Sequence, residues 1–259
     1  MAVNRSRVAA VAAATGLAAA CAAVAMTAGP AAAGQGSATA NAATAQRPVA
    51  SRPTTKEAWT ARVLLPVHTR NAPHAKARKT SKLSVSAPYN GSANVLLVLG
   101  ARVNAEGVWY KVRLTTRPND AAGWVPAEAV QVKKTPWRVV VHLNSRTMDL
   151  LKKGKRVGTF TVAIGTPANP TPTGRFAVSE VVKQRNPGGF FGTYIITLTA
   201  HSENLSEFDG GDGRVALHGT NRPALLGQAV SHGCVRLDNG VATRLGRNVP
   251  PGAPVDIVN

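Results

Sequence analysis

From Trp59 to the C-terminus the chain is written in short apolar runs punctuated by Gly, Pro, Asn and Asp. Such runs signal strands, because a pleated backbone turns successive side chains to opposite faces and Gly or Pro ends the pairing. Residues 62–65, 82–85, 95–99 and 108–114 are of this kind, with turn signals between them at Pro88-Tyr89-Asn90-Gly91, Ala105-Glu106-Gly107 and Arg117-Pro118-Asn119-Asp120. Several strands in about 75 residues imply a small barrel over 59–133. After a polar join at 133–137, residues 138–143 and 147–151 read as a hairpin, Lys153-Gly154-Lys155 turns into a strand over 157–164, and another pair is expected at 175–182 and 193–199. Prolines at 167, 170 and 172 deny residues 165–174 both helix and central-strand geometry. Only residues 241–247 offer a helical turn or two, so the fold class is mainly β with little helix.

Charge is placed unevenly. Of 31 Lys and Arg against 12 Asp and Glu (+19), residues 1–137 hold 17 basic and 4 acidic, and nine of the basic ones lie between Arg47 and Lys82. Such a stretch attracts any polyanion, a solvated linker being the bland alternative. The N-terminus decides between partners. Arg5 and Arg7 precede an uncharged Ala/Val-rich run over 8–26, and Gly29-Pro30 leads into Ala31-Ala32-Ala33, so residues 1–33 read as a secretory signal peptide cut after Ala33. An uncleaved anchor competes, because the run is just long enough to span a bilayer; lipoprotein processing at Cys21 is disfavoured by Ala18 and by the apolar run continuing past the thiol. Residues 34–58 read as a flexible basic linker. The expected location is therefore extracytoplasmic, at the cell wall, membrane-tethered if the leader stays. Nucleic acid is then no sensible partner, whereas anionic wall polymers are. The mature charge falls to near +17, and one cysteine, Cys234, survives.

Chemistry concentrates in Val215-Ala216-Leu217-His218-Gly219-Thr220 and Ser231-His232-Gly233-Cys234-Val235-Arg236-Leu237-Asp238-Asn239. A thiol nucleophile needs an imidazole to take its proton, and the resulting ion pair lowers the thiol pKa. Gly233 lets the backbone approach a substrate carbonyl, so N–H groups around Gly233 and Cys234 are candidate oxyanion donors. Spacing does not choose the base: His232 lies two residues from Cys234, on the same face of a strand, while His218 reaches it through the fold. A zinc site built from His218, His232, Cys234 and an acid such as Asp238, Asp209 or Asp212 lacks the compact ligand spacings of zinc motifs, so neither metal nor cofactor is expected.

Trp109-Tyr110-Lys111-Val112-Arg113-Leu114 followed by Gly123-Trp124-Val125-Pro126 resembles the bacterial SH3-like module over 59–133, with Trp109 and Trp124 read as core aromatics in preference to ligand platforms. His-Gly-Thr followed by Ser-His-Gly-Cys-Val-Arg-Leu-x-Asn, with Thr171-Pro172-Thr173-Gly174-Arg175-Phe176 upstream, resembles the L,D-transpeptidase (YkuD) catalytic domain from 138 to 259. That resemblance implies a β-sandwich with Cys234 as nucleophile, His218 as general base and acid, and the Gly219 carbonyl orienting the imidazole. It further implies an oxyanion hole around His232, Gly233 and Cys234, with Ser231, Arg236 and Asn239 shaping the site or contacting substrate. The implied reaction is acyl transfer between peptidoglycan stem peptides to give 3→3 cross-links, with carbapenems acylating Cys234. Residues 184–192, glycine-rich with paired aromatics, are the candidate lid, a plain hairpin tip being the alternative. An L,D-carboxypeptidase with the same site, and a mainly wall-binding protein, are the competing functions.

Overall fold

The computed structural model describes residues 50–207 and 210–259; the expected signal peptide, Cys21, linker residues 34–49 and Asp209 lie outside the described residues. Seven antiparallel strands form the first sheet: β1 (Ala58–Val63), β2 (Val67–Arg70), β3 (Lys79–Leu83), β4 (Val95–Asn104), β5 (Gly107–Arg113), β6 (Ala122–Pro126) and β7 (Val130–Thr135), in the order β3-β2-β6-β5-β4-β1-β7. Alternation along β5 and β6 sends Tyr110, Val112 and Val125 into one core with Val63, Leu96, Val98 and Val130. Trp109 is buried and Trp124 half-buried. Two expectations shift here. Leu64 and Leu65, read as part of the first strand, lie beyond its end and stay about half exposed. Residues 50–57, read as the end of a flexible linker, are held in place: Ala50 is buried in the first core and the Thr54 carbonyl accepts from Arg138 Nη2 at 2.7 Å. One small apolar side chain and one carbonyl leave no periodicity to read.

Ten further strands follow: β8 (Trp137–His142), β9 (Thr147–Lys152), β10 (Lys155–Thr161), β11 (Ile164–Gly165), β12 (Gly174–Lys183), β13 (Tyr194–His201), β14 (Arg214–His218), β15 (Ala229–Ser231), β16 (Val235–Arg236) and β17 (Pro254–Val258). Eight of them run β10-β9-β8-β17-β12-β13-β14-β16, and β11 pairs β15 separately. Strand β12 bulges between Val178 and Glu180; its first half pairs β17 and its second half pairs β13. A bulge bends and twists its strand, so β12 carries the sheet around a shared core of Val139, Leu150, Phe176, Ile196, Leu217 and Val255. The helix α1 (Asn239–Asn248) is N-capped by Asp238, whose carboxylate accepts the Gly240 N–H at 2.8 Å, and it buries Ala242 and Leu245. The two sheets meet through Ala58, Leu97 and Ala177, which form a small buried cluster of their own.

Candidate active site

Strand register assembles the site. Parallel strands β14 and β16 pair Leu217 with Val235 and His218 with Arg236. Side chains alternate, so Ala216, His218, Cys234 and Arg236 share one face while Val215, Leu217, Val235 and Leu237 pack into the core on the other. His218 and Cys234 consequently line one cavity, with Arg236, Arg214, Ser202, Leu205 and His232 around it.

His218 is only 2% exposed. Its Nδ1 lies 2.6 Å from the Gly219 carbonyl oxygen. A carbonyl can only accept, so Nδ1 carries the proton and Nε2 is the basic nitrogen of the neutral ring. Burial, opposed by that hydrogen bond and assisted by the Arg236 charge, lowers the His218 pKa to about 4. Burial likewise pushes the Cys234 thiol up, against the pull of a backbone hydrogen bond with Ala216 and of Arg236. The shifts favour a thiol beside a neutral imidazole. Both shifts run against the ion pair anticipated from the Cys–His combination, since burial of His218 and the partly buried setting of Cys234 penalise each charged form.

Gly233 adopts φ +115, a conformation open to glycine, and its N–H donates to Ser231 Oγ at 3.2 Å. Ser231 Oγ in turn donates to the Cys234 carbonyl. The buried Ser231 hydroxyl thus folds the Cys234 turn upon itself. Gly233 is spent internally, and among the described residues the Cys234 N–H is the unengaged donor at the turn. Asn239 also works inward. Its Oδ1 accepts the N–H of Thr193 (3.3 Å) and of Thr220 (3.1 Å), tying the start of β13 to the loop after His218.

The β12–β13 connection folds back over the His218 imidazole. Phe190 and Phe191 meet edge to face at 5.0 Å, and Phe191 stacks edge-on against His218 at 5.1 Å. Arg236 sits over the Phe190 ring at 5.1 Å. Beneath these rings the cavity has a free volume of about 20 Å³, room for a water but not for an acyl chain. His232 is exposed at the rim. Among the described residues no group of three His, Cys, Asp or Glu is placed to hold a metal. Asp212 is engaged by His201, Arg214 and Tyr89 instead. Arg214, Ser202 and Leu205 were not singled out from sequence; Arg214 was legible by parity, two strand positions before Ala216 and four before His218.

The profile of the YkuD L,D-transpeptidase catalytic domain matches residues 136–257. A Bacillus subtilis protein named as an L,D-transpeptidase, YqjB, is 32% identical over 128 residues, which cover 47% of this chain and 70% of its own. The chain belongs to the YkuD family. YkuD of Bacillus licheniformis, also named as an L,D-transpeptidase, is 37% identical over 122 residues, 47% of this chain and 66% of that protein, so the chain spans just under two thirds of that relative's length. A solved L,D-transpeptidase from Mycobacterium tuberculosis H37Rv aligns over 75% of this chain and 97% of its own at 15% identity and a TM-score of 0.43. Within the family domain lie Cys234, His218 and the covering Phe190–Phe191 tip; the first sheet lies outside it.

Proposed function

We propose that the chain is an exported L,D-transpeptidase that forms 3→3 peptidoglycan cross-links by cysteine acyl transfer. The observation that carries this reading is the neutral His218 ring, its Nδ1 proton committed to Gly219, in one aromatic-capped cavity with the Cys234 thiol. His218 Nε2 takes the thiol proton as sulfur attacks the carbonyl between the third residue and the terminal D-Ala of a tetrapeptide stem. The Cys234 N–H faces the oxyanion. Collapse breaks the peptide bond, the D-Ala amine leaves with the proton from His218, and a thioester remains. A side-chain amine of a second stem then attacks the thioester, passing a proton through His218 to the departing sulfur. General-base catalysis from a neutral pair suits a nucleophile that need not be a standing thiolate.

The Phe190–Phe191 tip must shift to admit a stem peptide, and its return over the thioester would exclude water in favour of the amine. We read the first sheet as the SH3-like module and anionic wall polymers as its setting; near Trp124 the cations Arg52, Arg102 and Lys111 line one shallow groove. Intact-mass spectrometry with a carbapenem tests the site: adduct formation at Cys234 in the wild type, its absence in Cys234→Ala and its strong slowing in His218→Ala are expected. Muropeptide products test the reaction. Cross-linked dimers are expected, and tripeptide stems alone would assign an L,D-carboxypeptidase.

A further inference from the structure

We propose that Arg117, in a loop of the first sheet and outside the family domain, is a positioning residue for the catalytic cavity. The proposal rests on the site reading above. Arg117 lies in the β5–β6 loop, and its guanidinium reaches across to the second sheet's territory. Nη1 donates to the Ser202 carbonyl at 2.6 Å, and Nη2 donates to the carbonyls of Leu205 at 2.9 Å and Asp212 at 3.3 Å. Two residues on, Asn119 clamps His201 in both directions: its Oδ1 accepts the His201 N–H at 2.7 Å and its Nδ2 donates to the His201 carbonyl at 2.9 Å.

Ser202 and Leu205 belong to the cavity wall, and Asp212 immediately precedes two more wall residues. Ser202, Leu205, Gly213 and Arg214 all line the space that holds Cys234 and His218. Three carbonyl dipoles pointed at one spot repel one another, and a planar cation with forked donors is the group that turns that repulsion into attraction. Gly213 makes the convergence possible. It adopts φ +72, and a Cβ there would lie 2.2 Å from the Leu205 carbonyl oxygen and 3.1 Å from Arg117 Nη2. The wall is therefore shaped by a side chain that touches neither Cys234 nor His218.

Removing the guanidinium leaves three carbonyls without their shared donor and lets the wall relax, while the thiol turn, held by Ser231, stays as it is. A bulky acylating agent that must fit the cavity should feel this; a small one that needs only the sulfur should not. With the full chain, Arg117→Ala is expected to slow acylation by a carbapenem about tenfold or more. Alkylation of Cys234 by iodoacetamide should stay within about twofold of wild type. Arg117→Lys, which keeps the charge but not the fork, should fall between. Hydrogen exchange should quicken in residues 202–207 and 210–213 and stay unchanged in β8 and β9. Unchanged carbapenem acylation would overturn the proposal, and so would a matched fall in both reagents with faster exchange in both sheets, which marks general destabilisation. A wild type that takes no carbapenem would sink the site reading, and the exchange comparison alone would then decide whether Arg117 shapes the wall.

Discussion

His218 bears a cost that pH makes visible. Unfolded, it titrates near 6.5; folded, at about 4. Between those values the unfolded chain binds the extra proton, so stability rises with pH across that window and is lost as pH falls from 6.5 towards 4. The full difference is about 3 kcal/mol. Urea denaturation at a series of pH values should show this slope in the wild type and a shallower one in His218→Gln, where buried His201, its pKa also lowered, still contributes. With His218 as the base of the proposed reaction, the same pKa places the acid limb of kcat/KM near pH 4, with no loss between neutrality and about pH 5, because Nε2 would have to be unprotonated to take the thiol proton. At this scale the sequence was legible in part. A Cys–His pair flanked by glycines could be seen in the motif, but the protonation state of the pair could not, since it depends on burial supplied by Phe190, Phe191 and the far wall. For the same reason Ser231 and Asn239 carry polar groups that look available on paper and are consumed by backbone partners in the fold.

Among elements, the tip between β12 and β13 depends on one amide. Gly192 and Gly219 approach so closely that a Cβ on either would lie 2.0 Å or 2.2 Å from Asn239 Oδ1. The oxygen reaches the N–H groups of Thr193 and Thr220 through that gap. Asn239→Ala leaves both donors without a partner, at about 1–3 kcal/mol each, and frees the aromatic tip from the His218 loop. Urea denaturation should show the loss, and Asn239→Asp, which keeps an acceptor, should recover most of it. Opening the cover alone is a separate experiment. Phe190→Ala removes the ring beneath Arg236, and if cross-linking is the reaction, products should shift from dimers towards hydrolysed tripeptide stems. Strand positions were readable because alternation and turn residues are local signals. Several strands escaped, β2, β7 and the strands after residue 213 among them: β2 offers a single aliphatic residue, Val67, and β7 runs into Lys133 and Lys134, where charge masks the alternation of Val130 and Val132.

Across the whole molecule the two sheets are joined by contacts that no local pattern announces. Glu180 has no exposed surface, and its carboxylate accepts the N–H of Asn90 at 2.8 Å and of Tyr89 at 3.3 Å, drawing a turn of the first sheet onto β12. Tyr89 Oη donates to Asp212 at 2.7 Å, and Arg214 lies over the Tyr89 ring at 4.7 Å. Gly252, at φ +82, lets β17's approach lie flush against β1: a Cβ there would meet Thr60 Cγ2 at 2.8 Å and the Leu96 carbonyl oxygen at 3.1 Å. Because Ala58, Leu97 and Ala177 share a cluster across the junction, neither sheet can open without exposing surface of the other. Unfolding of the described body should accordingly be one cooperative transition, with calorimetric and van't Hoff enthalpies in agreement. Ala177→Glu places an unpaired charge in that cluster, at a cost of several kcal/mol. The expected outcome is a split into two transitions, with carbapenem acylation slowed even though Ala177 lies outside the cavity, since the loops that brace the wall through Arg117 and Tyr89 would separate from it. A single transition at an unchanged midpoint would mean that the sheets are merely adjacent, and the cavity wall would then owe its shape to the second sheet alone.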